Sequence, residues 1–222
     1  MVELIAHRAG NSRAGMEAFG SLADGIEIDV HLLRRRLVVR HAKRLWLSSR
    51  LWERWYLLPT GTTVPTFEEA LDWIGPGVGL WVDCKGSGTL RLPREVARVV
   101  DGRSPLTLSG KAWWSLGRAG RTLDVRVVGS AGNRFELFLL RHLGPAAHLD
   151  GVAVHRRLLD PGLVRELKAR HWLVFSWSIP DEEIARRLVA WGVDGLIMDG
   201  PALMQTLAET PVETHEPGSD HR

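Results

Sequence analysis

The chain has 222 residues and a formal net charge of +3, with 45% hydrophobic and 25% charged residues. These proportions are ordinary for a globular protein, and the length suits a single α/β barrel domain. Acidic residues nearly match the basic ones, and no dominant basic run occurs, so a nucleic-acid-binding class gains little support.

The single cysteine, Cys84, excludes an internal disulfide framework. No charged leader and apolar signal core precede residues 2–6, and no apolar run approaches the roughly 20 residues of a membrane-spanning helix. We therefore expect a cytoplasmic protein with one domain over residues 1–210. Residues 211–222 are polar, with Pro, Gly and mixed charge, which predicts a disordered tail.

Short apolar runs rich in β-branched residues predict eight strands, at residues 2–7, 25–30, 79–85, 105–109, 125–129, 151–155, 173–177 and 195–199. Helical periodicity predicts eight helices after them, at residues 15–23, 66–74, 93–100, 112–120, 133–143, 161–171, 181–191 and 202–209. This alternation indicates parallel strands joined by crossovers. Eight units favour a closed (β/α)8 barrel over a doubly wound sheet, because no glycine-rich phosphate-binding pattern follows the first strand.

Residues 37–58 do not fit this alternation. Residues 37–41 predict a short extra strand, and residues 48–58 predict a helix or loop laid over the barrel. On a helix, Trp52, Trp55 and Tyr56 share one face. That face is either packed on the barrel rim, which we favour, or an interfacial patch that contacts lipid.

Carboxylates occur where two predicted strands end, which is the catalytic end of a (β/α)8 barrel. Glu27 and Asp29 are two residues apart and point to the same side of their strand, and Asp83 and Lys85 repeat this spacing. Three carboxylates on neighbouring strands suit a hard cation with oxygen ligands, Mg²⁺ or Ca²⁺. The alternative is that Glu27 and Asp29 form salt bridges with Arg8 and Lys85 and hold no metal.

Two histidines, His7 and His41, also end short apolar runs. An imidazole titrates near neutral pH, so a pair of them beside a metal-bound phosphate can divide general base and general acid catalysis. A lone histidine is more often a packed or surface residue. The occurrence of these two histidines together with the carboxylates is what favours a catalytic role.

The chain resembles the glycerophosphodiester phosphodiesterases, which are related to the sphingomyelinase D and phosphatidylinositol-specific phospholipase C barrels. The resemblance rests on segments in the family's order: His7-Arg8, residues 25–30 (GIEIDV), 38–41 (VVRH), 64–71 (VPTFEEAL) and 192–201 (GVDGLIMDGP). It implies a (β/α)8 barrel and cation-dependent hydrolysis of a glycerophosphodiester to glycerol 3-phosphate and an alcohol.

The resemblance also implies roles for individual residues. Glu27, Asp29 and Asp83 would hold one divalent cation, and His7 and His41 would be the acid–base pair. Phosphate would be bound by Arg8 and Lys85. Trp177 would wall the alcohol pocket, and the alternatives for His155 are substrate contact and a structural role. The implied partner is a small phosphodiester, with no nucleic acid and no transmembrane segment. Peripheral lipid contact and the oligomeric state are left open.

Several positions depart from the family pattern. The usual His-Arg-Gly is His-Arg-Ala-Gly here, and the Pro-Glu-Asn-Thr motif is absent. Ala42 stands where an aspartate usually follows the second histidine, and Asp83 stands where most members have glutamate. The Asp83–Lys85 spacing also resembles sphingomyelinase D. Two alternatives to the glycerophosphodiesterase therefore stay open: a lysophospholipase D or sphingomyelinase D-like lipid phosphodiesterase, and an inactive barrel that binds a phosphoester.

Overall fold

In this computed structural model, residues 2–19, 21–33, 35–41, 43–44, 51–53, 56–57, 63–74, 77–86, 90–102 and 105–209 are described. Within them, twelve strands occur: β1 Glu3–Ala6, β2 Gly25–Leu33, β3 Arg36–Val39, β4 Lys43–Arg44, β5 Leu51–Glu53, β6 Tyr56–Leu57, β7 Gly79–Lys85, β8 Leu106–Gly110, β9 Arg126–Ala131, β10 Gly151–His155, β11 Leu173–Ile179 and β12 Gly195–Met198. The α-helices of the same residues are α1 Arg13–Phe19, α2 Phe67–Ile74, α3 Arg91–Val100, α4 Trp113–Leu123, α5 Arg134–Ala147, α6 Pro161–Lys168, α7 Glu182–Ala190 and α8 Pro201–Glu209.

Eight of the described strands form a closed parallel barrel. They run in the order β1, β2, β7, β8, β9, β10, β11 and β12, and the ring closes because β1 pairs with both β2 and β12. At the closure Ile5 lies opposite Ile197 on one side and Gly25 on the other. The predicted (β/α)8 barrel is therefore confirmed.

The segment after β2 matches the sequence prediction only in part. The extra strand is present as β3, which pairs antiparallel with β2. A helix over residues 48–58 is wrong, because β5 and β6 pair antiparallel and place Trp52 opposite Leu57. Aromatic residues favour strands, and their spacing here fits either structure. The helical face proposed for Trp52 and Tyr56 is thus also wrong, while Trp55, Ala42 and residues 211–222 lie outside the described residues.

The barrel interior is filled toward the amino-terminal ends of its strands. Trp81 and Phe175 meet edge to face there, with their ring centroids 4.6 Å apart. The Arg126 guanidinium covers both rings and donates two hydrogen bonds to the Glu3 carboxylate, of 2.9 and 2.7 Å. Because this end is packed, the open space of the barrel lies at the carboxyl ends of the strands.

The helices surround the barrel, and several of them begin at capping residues that their sequences supply. Thr66 and Glu69 form a reciprocal capping box at α2, and Asn133 accepts a hydrogen bond from the backbone of Glu136 at α5. Among the described helices, none has the length and apolar character needed to cross a membrane. The cytoplasmic location stays a prediction.

Candidate active site

The strand register brings the three predicted carboxylates together. Asp29 of β2 lies directly opposite Asp83 of β7, and Glu27 lies one inward-facing position earlier on β2. One ligand oxygen from each residue lies within 4.8 Å of those of the other two. Glu27 and Asp29 are 3% and 0% exposed, so water screens their mutual repulsion poorly. The cluster therefore needs positive charge nearby.

Lys85 and Arg8 supply part of that charge. The Lys85 Nζ lies 2.8 Å from Asp29 Oδ1 and also contacts the Asp83 carboxylate, while Arg8 Nε lies 3.6 Å from Asp29 Oδ2. Burial acts to raise the pKa of Asp29, but Lys85, a hydrogen bond from Asn11 and Arg8 together lower it. Burial acts to lower the pKa of Lys85, and the three carboxylates outweigh it and raise that pKa. The two salt bridges that the sequence suggested are thus present at Asp29, and they leave one of its neighbours, Glu27, to be considered separately.

Glu27 lacks comparable compensation. Its Oε2 accepts a hydrogen bond of 2.6 Å from the backbone N–H of Arg8, and His7 Nε2 lies 4.0 Å away. Across the described residues it forms no ion pair with a lysine or arginine side chain. Burial and the neighbouring Asp29 raise the pKa of Glu27 well above its usual range, and burial with Asp29 also raises that of Asp83. A divalent cation fits this set, because it would neutralise carboxylates that the basic residues leave uncompensated, through the oxygen ligands that hard cations prefer.

His7 is held at the same end of the barrel by a partner from the last strand. Its Nδ1 lies 2.5 Å from Asp199 Oδ1, and Ser178 Oγ donates to the other Asp199 oxygen at 3.1 Å. Burial acts to lower the pKa of His7, but the Asp199 hydrogen bond and the charges of Glu27 and Asp199 outweigh it, so the pKa is raised. The Asp199 bond fixes the proton on Nδ1, which leaves Nε2 on the side of Glu27.

A cavity of about 550 Å³ opens beside these groups. It joins His7 and the predicted second histidine, His41, at the carboxyl ends of the strands. Its other lining residues include Arg8, Glu27, His31, Trp81, Asp83, Lys85, Ser109, Lys111, Ser130 and Trp177. This volume accommodates a small ligand. The structure therefore places the predicted histidines, Trp177 and most of the charged groups around one space.

Two predicted site residues do not line this cavity: Asp29, which is buried behind Lys85 and Arg8, and His155. The position of His155 is set by the sixth barrel strand, β10. The His155 ring packs edge-on against Trp177, with centroids 4.8 Å apart, and its Nδ1 accepts a hydrogen bond from the Arg157 backbone at 3.2 Å. Of the two roles considered from sequence, its position corresponds to support of the Trp177 wall.

Several residues of the site were not assigned a role from sequence, among them Asn11, His31, Lys111 and Asp199. Asn11 donates to Asp29 Oδ2 at 2.7 Å and accepts from the Asp29 backbone N–H at 2.8 Å. His31 continues the inward alternation of Glu27 and Asp29, which was an available signal, and burial followed by the charge of Arg40 lowers its pKa to about 4. Lys111 follows β8 and pairs with a carboxylate of α5, and Asp199 ends the last strand without an assigned role.

Fold and site define a (β/α)8-barrel protein with a buried acidic cluster and an Asp-supported histidine at the carboxyl ends of its strands. Within that class, residues 107–203 match the model of the glycerophosphoryl diester phosphodiesterase family. The resemblance found from sequence is thereby confirmed. The matched range contains Asp199 and Trp177, whereas the acidic cluster, His7 and His41 precede it.

A glycerophosphodiester phosphodiesterase of Arabidopsis thaliana is 33% identical over 58 residues, which is 26% of this chain and 18% of that protein. The chain thus matches under a fifth of the length of this curated relative. Solved structures share the whole barrel. A phosphodiesterase of Oleispira antarctica, solved with its product sn-glycerol 3-phosphate, has a TM-score of 0.71 and 21% identity over 94% of this chain and 97% of that one. A glycerophosphodiester phosphodiesterase of Thermotoga maritima has a TM-score of 0.73 and 17% identity over 93% and 98%. These likenesses show the fold.

Proposed function

We propose that this protein is a cation-dependent phosphodiesterase that hydrolyses glycerophosphodiesters to glycerol 3-phosphate and an alcohol. One observation carries the proposal. The carboxylates, whose negative charge the basic residues balance only in part, and His7, which Asp199 holds, lie beside the same cavity. The family match over residues 107–203 and the product found in the Oleispira structure support the same reaction.

In this proposal Glu27, Asp29 and Asp83 hold one divalent cation, Mg²⁺ or Ca²⁺. When bound, such an ion polarises a phosphoryl oxygen as a Lewis acid. Arg8 lines the cavity, so its guanidinium can contact a phosphate oxygen there while its Nε faces Asp29. Lys85 adds a second positive charge on the cavity wall. Both groups then stabilise the negative charge that builds on the phosphate during attack.

The two histidines act on the two oxygens on either side of the phosphorus. One removes the proton of the attacking oxygen, and the other donates a proton to the oxygen of the departing alcohol. Asp199 holds the Nδ1 proton of His7 in place, so Nε2 is the atom that gains or loses a proton during the reaction. His41 serves the opposite oxygen from across the cavity. Trp177 lines the space for the departing alcohol, and His155 keeps the Trp177 ring in position through their edge-on contact.

The test is release of glycerol 3-phosphate from glycerophosphocholine and glycerophosphoethanolamine in EDTA, Mg²⁺ or Ca²⁺. We expect release that requires a cation and falls by about 100-fold or more in His41→Ala, the range for loss of a general acid or base. His142→Ala is the matched control, because His142 is an exposed histidine on α5 that bonds a backbone carbonyl of its own helix. A folded wild-type protein that releases nothing with any cation would contradict the proposal.

The same samples distinguish the two alternatives raised by the positions at which this sequence differs from the family pattern. Turnover of lysophosphatidylcholine or sphingomyelin in place of the soluble diesters would assign the site to lipid phosphodiesterase chemistry. Binding of glycerol 3-phosphate in calorimetry, with no turnover of any diester, would identify an inactive phosphoester-binding barrel.

A further inference from the structure

The outer face of α5 carries large apolar side chains that the barrel does not cover. Phe135 and Phe138 are 69% and 54% exposed, and the Phe138 ring lies against His142 with centroids 4.2 Å apart. The opposite face of the same helix packs on the strands through Leu137 and Leu140. The helix is therefore apolar on both sides, which is unusual for a helix with one solvent-facing side.

The neighbouring helix α4 adds to the same surface. Trp114 is 53% exposed, and Arg118 and Arg121 follow it at spacings that place all three on one helix face. The four most exposed large apolar side chains in the described part of the chain all belong to α4 and α5: Trp114, Phe135, Phe138 and Leu143. Concentration of such residues on two adjacent helices marks an interaction surface.

Uncompensated arginines border this aromatic surface. Arg134 begins α5, and Arg157 faces it across a groove of about 560 Å³ between α5 and α6. Neither guanidinium has an ion pair within the described residues. Of the acidic groups beside them, Glu136 is bound by Lys111 and Glu166 by two other arginines. Asp160 lines the same groove, caps α6 and has no ion pair in the part of the chain that the structure describes, so it offsets only one of these charges. The surface therefore presents aromatic rings together with net positive charge.

We propose that this aromatic surface of α4 and α5 binds peripherally to an anionic lipid bilayer. Phe and Trp side chains insert at the headgroup level, while arginines attract acidic headgroups. A second copy of the chain fits less well. A symmetric dimer through this surface would bring the arginines of both copies together, and the Glu136 and Glu166 carboxylates beside them are already paired.

The location of the surface relates it to the cavity. Lys111 lines the cavity, and its ion pair of 2.5 Å with Glu136 ties the cavity wall to the first turn of α5. A bilayer bound at Phe135 and Phe138 therefore lies beside the cavity mouth. Binding itself requires no turnover, so it stands or fails separately from the proposed hydrolysis.

The experiment is co-sedimentation of the full chain with vesicles of phosphatidylcholine, alone or mixed with phosphatidylglycerol. We expect binding to the mixed vesicles that weakens with salt. Arg134→Gln/Arg157→Gln should lower the partition coefficient by about 30-fold, from the usual contribution of a basic residue near an anionic surface. Phe135→Ser/Phe138→Ser should lower it by about tenfold or more, because it removes the inserted apolar area. Circular dichroism confirms that each variant is folded.

The matched control is Arg98→Gln/Arg186→Gln, which removes the same charge from α3 and α7 and should bind like the wild type. Absence of binding to the mixed vesicles, or equal loss in the control and the Arg134/Arg157 variant, would overturn the proposal. Light scattering provides a further outcome: a dimer that the phenylalanine variant dissociates, without vesicle binding by the wild type, would identify a second copy as the occupant instead.

Discussion

Substitution of Asn11 by alanine is expected to destabilise the protein through Asp29. The change removes a side-chain donor 2.7 Å from the buried carboxylate and leaves the Asp29 backbone N–H, which donates to Asn11 at 2.8 Å, without its acceptor. A hydrogen bond to a charged group contributes about 1.5–3 kcal/mol, and an unsatisfied buried donor costs about 1–3 kcal/mol. Because Asn11 is itself half-buried, water recovers part of this loss. We expect the free energy of unfolding to fall by about 3 kcal/mol, a large share of ordinary domain stability.

The measurement is urea denaturation at pH 7 in EDTA, which keeps divalent cations from masking the effect. Ser12→Ala is the control, since it removes one exposed hydrogen bond, from Gly15 N at 3.1 Å, in the same turn. That loss should stay at about 1 kcal/mol or less. A reduction below about 1 kcal/mol for Asn11→Ala, or equal losses in both variants, would refute the argument that Asn11 stabilises the Asp29 carboxylate.

Three further predictions each concern one residue: His31, Gly117 and Glu27. His31, with its pKa lowered to about 4, stays neutral in the fold while the unfolded chain takes up a proton, so stability is full above pH 6.5 and falls between pH 6.5 and 4. Allowing for partial solvent access, His31→Gln should remove about 1–2 kcal/mol of this pH dependence in denaturation curves. Gly117→Ala would place a Cβ 1.5 Å from the Ala147 carbonyl oxygen and should cost about 3 kcal/mol or more, against a small change for Gly162→Ala, whose Cβ would meet nothing closer than 3.1 Å. Because the pKa of Glu27 is raised, cation binding should release a proton, and it should weaken as pH falls. The measurement is calorimetry in buffers of different ionisation enthalpy. Cation binding without proton release would contradict this prediction.

Most of the barrel was predictable because its strands are short, apolar and separated by helices. Residues 79–85 and 151–155 were predicted with the bounds that β7 and β10 have. Residues 48–58 were predicted to be a helix or a loop, and the helix failed for a local reason. Trp52 and Tyr56 are four residues apart, a spacing that fits one helix face, but they lie on two separate short strands, β5 and β6. Aromatic residues occur in both kinds of structure, so their spacing alone does not decide between them.

The parts of the site that lie on a single strand were predictable from the sequence. The parts that form only when distant segments meet in the closed barrel were not. Glu27 and Asp29 share a side of β2 by simple alternation, so their proximity followed from spacing alone. The Asn11 contact requires a turn after β1 to fold back over β2. The His7 contact with Asp199 joins residues 192 positions apart, and no local pattern encodes it.

The contact between His7 and Asp199 joins the first and last strands of the barrel, because His7 follows β1, Asp199 follows β12, and these two strands pair. In a polypeptide that is still being synthesised, the three carboxylates of β2 and β7 are present well before Asp199, so His7 has no Asp199 to orient it until the chain beyond β12 exists. Proteolysis that removes β12 and Asp199 would likewise deprive His7 of this partner. The orientation of His7 therefore depends on completion of the ring, whereas the placement of the three carboxylates depends only on the pairing of β2 with β7.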